Sequence, residues 1–176
     1  EEAEQLQNPS FTFFDVGIGG NYSNIVNEDF SFISGFSAFH INKPQQTLIE
    51  DDDVRLEEKY NIYFLSFYRL NNTIILNSSL LYSRQGKSAE LLVGSGFRYN
   101  LQNNTNLITQ LFYRWNDAVI PAFGINYNNI SAVVSYDVNT SDLIAASDYK
   151  GGFEFSIIYV WNKKKRTQKG EIKNYC

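Results

Sequence analysis

The chain has one cysteine, Cys176, one histidine, His40, no methionine and only three prolines among its 176 residues. A lone cysteine excludes an internal disulfide and every multi-cysteine metal site, and a lone histidine excludes multi-histidine metal clusters. No apolar run approaches the roughly 20 residues that a helix needs to cross a bilayer, so any spanning falls to strands. The formal net charge of −4 argues against a nucleic-acid surface. The basic run Lys163, Lys164, Lys165 and Arg166 is the local exception, and it reads as a solvated tail at a charged interface. No low-complexity tract and no repeat of fixed long period is present.

What the chain has instead is β-formers. Aromatic residues make up 16%, from 14 Phe, 12 Tyr and 2 Trp, which points to an all-β protein. Period-two alternation predicts about nine strands: Phe11 to Tyr22, Phe30 to Ile41, Tyr60 to Leu70, Thr73 to Arg84, Ala89 to Tyr99, Leu107 to Trp115, Val119 to Tyr127, Ile130 to Val138 and Phe153 to Trp161. Many match the about 9 to 11 residues of a tilted membrane strand and exceed the about five or six usual in soluble sheets. In the last of them Phe153, Phe155, Ile157, Tyr159 and Trp161 share one face, with Glu154 and Ser156 on the other. The same rule sets Leu107, Leu111 and Tyr113 against Gln110 and Arg114, and Phe123, Ile125 and Tyr127 against Ala122, Gly124 and Asn126. Phe30 to Ile41 alternates less cleanly and is expected to be buried on both sides. An apolar row bounded by aromatics against a polar row is the pattern of an antiparallel transmembrane β-barrel of the outer-membrane type, and this chain is expected to supply about nine C-terminal strands of one.

The connectors come in two sizes. Asn71-Asn72 and Asn128-Asn129 read as hairpin turns that take positive φ. Asn42 to Lys59, with the acidic run Glu50 to Asp53, and Asn139 to Gly151 are long. If the last strand ends in the periplasm, both long loops and the Trp115–Ala118 link lie outside and the Asn-Asn turns inside, as such barrels require. An odd strand number does not close an ordinary bacterial barrel, and Glu1 to Pro9 lack an export signal, so a fragment with strands missing upstream is expected. Residues 1–162 are assigned to the barrel and 163–176 to a basic periplasmic tail.

Reactive constellations are sparse. His40 could serve a lipid hydrolase only with a serine on its face, and in a strand that serine is Ser34; a histidine capping a long loop is the plainer reading. Asp137 and Glu154 sit on neighbouring strands and could both face the lumen, where acids are ordinary. Asp51, Asp52 and Asp53 lack the spacing and turn glycine of a calcium loop. Gly17, Gly19 and Gly20, like Gly94 and Gly96, lie within strands rather than before a helix, so they bend the strand or admit close packing. No catalytic, cofactor-binding or metal residue is assigned.

Several phrases resemble one family. GFSAFHINKP at Gly35 to Pro44, YRWNDAVI at Tyr113 to Ile120, SYDVNTSDL from Ser135, KGGFEFSIIY from Lys150 and the basic stretch before Cys176 are similar to PorP/SprF proteins of the type IX secretion system of Bacteroidetes. The resemblance implies a non-enzymatic component of the cell outer membrane that assists export or surface attachment of a large secreted adhesin, with a link to gliding motility. Its implied partners are outer-membrane lipid and the adhesin or other secretion components, without nucleic acid or cofactor. Loops on a rigid wall collect binding residues, which nominates Asp51, Asp52, Asp53, Asp142, Asp148 and Tyr149 outside and Lys163, Lys164, Lys165 and Arg166 inside. The alternatives are a passive porin for small solutes, which needs a continuous polar lumen, the lipid hydrolase, and a soluble lipocalin-like barrel with the same alternation packed inward.

Overall fold

The computed structural model describes residues 12–45, 54–140 and 151–161. They form nine strands: β1 Ile18–Ile25, β2 Phe30–Phe39, β3 Lys59–Arg69, β4 Ile74–Gln85, β5 Ser88–Asn100, β6 Thr105–Arg114, β7 Ala118–Tyr127, β8 Ile130–Asn139 and β9 Gly152–Tyr159. All pair antiparallel in one sheet whose spatial order is the chain order. The sheet is open, with β1 and β9 as its edges. None of the helices or parallel crossovers of other β architectures occurs among the described residues.

The register carries each side chain to one of two faces. Ser31, Phe67, Asn77, Gly96, Gln110, Ala122, Ser135 and Glu154 lie opposite one another across eight strands, and this row defines the inner face. The next row over, Phe30, Tyr68, Leu76, Phe97, Thr109, Phe123, Val134 and Phe155, defines the outer face. Every buried strand residue (Asn77, Gly94, Gly96, Ala118, Ala122) is on the inner face, so the sheet curls toward it. Apart from Ile25, Phe39 and Ile158, every exposed large apolar residue of a strand is on the outer face. Leu111 is 55% exposed, Phe123 60% and Phe155 81%. Burying such a side chain is worth roughly 1.5 to 3 kcal/mol. A face of this extent would be a large loss in water.

Four details depart from the sequence reading. The first strand begins at Ile18, not Phe11, because β2 ends at Phe39, where His40 turns out of it at a φ of 57°, and the regular ladder with β1 stops at the Ile18–Ala38 pair. Phe30 to Ile41 is not buried on both sides: Phe30, Phe32 and Phe36 share the outer face, and Phe36 is 58% exposed while Phe39, on the inner face, is 42% exposed. Asn128 does take a positive φ of 52°, but Asn71 does not; its Oδ1 instead accepts from the N–H groups of Thr73 and Ile74 at 2.8 and 2.9 Å. Asn27 makes the same turn before β2, accepting from Asp29 and Phe30. The left-handed pair the sequence reading passed over is Asn103-Asn104, with φ of 60° and 53° between β5 and β6.

Close packing explains two strand glycines. A Cβ on Gly94 would stand 2.2 Å from the Phe112 ring, and one on Gly35 would stand 2.4 Å from the Tyr63 ring. Both rings occupy, on the inner face, the space that a side chain at the neighbouring glycine would take. They continue into an apolar band with Ile33, Leu65, Leu81, Leu92 and Ile120, all half-buried. The inner face therefore carries an apolar band over β2 to β7 beside the polar row of Asn77, Gln110, Ser135 and Glu154.

Candidate functional site

Strand direction sorts the connections. The β1–β2, β3–β4, β5–β6 and β7–β8 turns lie at one end, and the two long connections emerge at the other, beside the tight β4–β5 and β6–β7 turns. Three groups of side chains build this loop end.

The first is a clamp made by His40 and Asn42. The His40 Nδ1 lies 2.8 Å from Asp15 Oδ2. The Asn42 amide accepts from the Val16 N–H at 3.0 Å and donates to the Phe14 carbonyl at 2.6 Å, while the Ile41 N–H reaches the Val16 carbonyl. An amide can give and take one bond each, as a strand backbone does, so Asn42 substitutes for the ladder that β2 has left. Among the described residues no hydrogen bond joins His40 to a serine.

The second group closes the base of the β2–β3 connection. Gln45 and Arg55 form a β-bridge, and the Leu56 N–H bonds to the Pro44 carbonyl at 3.0 Å. This brings the Lys43 ammonium 3.1 Å from Glu58 and 3.8 Å from Glu57. The hydrogen bond to Glu58, then the charges of Glu58 and Glu57, hold the Lys43 pKa above its ordinary value.

The third group joins β5, β6, the β6–β7 turn and β8. Arg114 Nη1 lies 2.9 Å from Asp117 Oδ2 and 3.0 Å from Asp137 Oδ2, and its Nε is 4.0 Å from Glu90. That last separation is an ion pair without a hydrogen bond, and Nε is left with no hydrogen-bond partner. The Asp117 carbonyl accepts from the Thr140 N–H at 2.7 Å, and the Tyr136 hydroxyl accepts from the Gly151 N–H at 3.1 Å. Pro121 lacks an N–H, and the β7–β8 ladder is interrupted at Ile120 and Pro121. Asp137 is thus held by a side chain where the backbone ladder lapses. Three carboxylates around one guanidinium leave this corner acidic.

The nominated partner-binding residues Asp51, Asp52, Asp53, Asp142, Asp148, Tyr149, Lys163, Lys164, Lys165 and Arg166 all lie outside the described residues. Their anchors do not: 45 and 55 flank the first acidic run, and 140 and 151 flank the second loop. Asp137 and Glu154 share the inner face, as the alternation implied, but Glu154 stands opposite Ser135 and Asp137 opposite Gly152. Arg114 was foreseen only as an inward arginine; its convergence with Asp137 was not. The available signal was that both fall in the phrases YRWNDAVI and SYDVNTSDL, each just before a loop-end connection. At the opposite end the Val160 N–H and carbonyl bond to Asn129, tying the exit of β9 to the β7–β8 turn.

No curated protein matches the chain. The family model for the type IX secretion system membrane protein PorP/SprF matches residues 1–159, which takes in every strand, the His40–Asn42 clamp and all four members of the Arg114 cluster. That family is one of secretion-system membrane components and is not a known enzyme family. On the strength of a match over far more than half of its length, the chain belongs to the PorP/SprF family of type IX secretion system membrane proteins.

Proposed function

We propose that this chain is an outer-membrane β-barrel component that assists export or surface attachment of a large secreted adhesin, with a link to gliding motility. The observation that carries the reading is the segregation of exposed apolar residues onto the outer face of the sheet, together with the family's place in type IX secretion. A hydrocarbon environment accounts for that face; aromatic pairs such as Tyr113–Trp115 and Tyr159–Trp161 at its two margins suit the interfacial girdles of a barrel. Residues 1–162 form the barrel wall and 163–176 a periplasmic tail. The loop end faces outward, where Asp51, Asp52, Asp53, Asp142, Asp148 and Tyr149 meet the adhesin, and Lys163 to Arg166 meet periplasmic secretion components. The apolar band across the inner face disfavours the porin alternative, which needs a continuous polar lumen.

The test is affinity capture of the tagged chain from detergent-solubilised outer membranes, with mass spectrometry of what co-purifies. A large surface adhesin or secretion-motor subunits is the expected result. Recovery of the barrel by itself, from cells that are secreting, would count decisively against the assignment.

A further inference from the structure

At the loop end of the outer face a cleft of about 500 Å³ is lined by Glu57, Glu58, Tyr60, Arg84, Gly86 and Lys87. Tyr60 and Arg84 stand directly opposite each other on β3 and β4, in register with the apolar face that continues through Ile62, Phe64 and Leu80. The cleft therefore opens on the border between that face and the polar loops. Its two carboxylates are already engaged, because Lys43 reaches both Glu58 and Glu57. Among the described residues neither Arg84 nor Lys87 has a carboxylate partner. The Arg84 Nε donates to the Gly86 carbonyl at 3.3 Å, which turns the guanidinium toward the β4–β5 turn that carries Lys87. Gly86 holds that turn with a φ of 55°, against the Glu57 side chain. Within the lining Glu57 and Glu58 balance Arg84 and Lys87 in number, but the two acids are drawn to Lys43 beside the cleft, which leaves Arg84 and Lys87 free to meet an anion.

We propose that this cleft binds the phosphate-bearing headgroup of an outer-leaflet lipid. Arg84 and Lys87 engage the phosphate, and Tyr60 lies along the junction between headgroup and acyl chain. Arginine presents a planar fork that suits phosphate oxygens, lysine adds a point charge, and tyrosine favours a boundary with one apolar side and one wet side. A lipid fits better than free phosphate because Ile62, 55% exposed, continues the apolar face two residues from Tyr60. A ligand that fills both parts carries hydrocarbon beneath its phosphate. The proposal rests on the reading above that the outer face meets lipid and the loops face outward.

The test uses the full chain purified in detergent and titrated with phosphorylated lipid A, with its dephosphorylated counterpart and with inorganic phosphate as competitor, bound lipid being read by native mass spectrometry. The expected result is a loss of roughly 30-fold in apparent affinity, both for the dephosphorylated lipid on the unaltered chain and for phosphorylated lipid on Arg84→Gln/Lys87→Gln. Equal binding of the two lipids by the unaltered chain, equal binding by the double variant, or full displacement by inorganic phosphate would each overturn the proposal. The lipid comparison holds even if the double variant does not fold. Labelling of Lys87→Cys in a Cys176→Ser background on intact cells separates the two readings. Labelling with phosphate-independent lipid binding sinks the site and spares the orientation. Absence of labelling with phosphate-dependent binding removes the outward orientation, and with it the outer leaflet as the source of the lipid.

Discussion

Arg114 shows how one side chain can hold several connections. Its guanidinium joins the β6–β7 turn to β8 through Asp117 and Asp137, at a place where Pro121 has removed a donor from the backbone ladder. The side chains of Arg114 and Asp137 are 28% and 26% exposed, so the pair lies between the surface case, worth about 0 to 1 kcal/mol, and the buried case, where removing one partner costs about 3 to 5. Arg114→Gln leaves Asp137, Asp117 and Glu90 facing one another without a cation. The expected cost is about 1 to 2 kcal/mol, read as a lower temperature for loss of heat-modifiable mobility of the folded chain on gels. An unchanged transition would mean that the cluster does not hold the fold. The inward direction of Arg114 was legible in its alternation with Leu111 and Tyr113. Its partners were not, because an ion pair across strands depends on register, and register is set by turn lengths many residues away.

At the scale of the strand, period-two alternation did most of the work. It assigned β6, β7 and β9 their faces correctly, and it erred in β2 only by treating Phe39, at the strand end, as evidence of two-sided burial. The strand starting at Phe11 failed for a different reason: a strand requires a partner, and β2 stops at Phe39. The turns were legible as asparagine-rich but not in mechanism, since an asparagine serves equally as a left-handed residue, as Asn128 does, or as a side-chain acceptor, as Asn71 does. Neighbours on one strand make a direct test of the two faces. Leu111→Lys puts a charge on the outer face and is expected to cost about 2 to 4 kcal/mol near mid-membrane; Gln110→Lys, one residue away on the inner face, is expected to cost under about 1. Urea unfolding of both variants in lipid bilayers measures the difference. Equal costs would show that Leu111 does not face hydrocarbon.

Taken whole, the sheet has a loop end rich in ion pairs, a turn end built on asparagine, and an inner face that carries an apolar band over β2 to β7. In a closed wall the band of Leu65, Leu81, Leu92, Phe112 and Ile120 would narrow and dry the lumen. Planar-bilayer recordings of the purified chain are therefore expected to lack a steady open conductance, and a stable, ion-selective pore would restore the channel alternative. Because neighbours alternate in direction, β1 and β9 run the same way, and direct closure between them would need a parallel pair in an otherwise antiparallel sheet.

The sequence by itself determined most of the strands, the faces of β6, β7 and β9 and the end at which the long connections emerge, because alternation and turn chemistry are local rules acting within a few residues. It also carried the phrases on which the family resemblance rests. Only the tertiary structure decided that Asn42 stands in for a missing strand partner, that Lys43 engages Glu57 and Glu58, and that Arg114 meets Asp137. Each of those contacts joins residues well separated in the chain, and only the pairing register brings them within hydrogen-bonding distance.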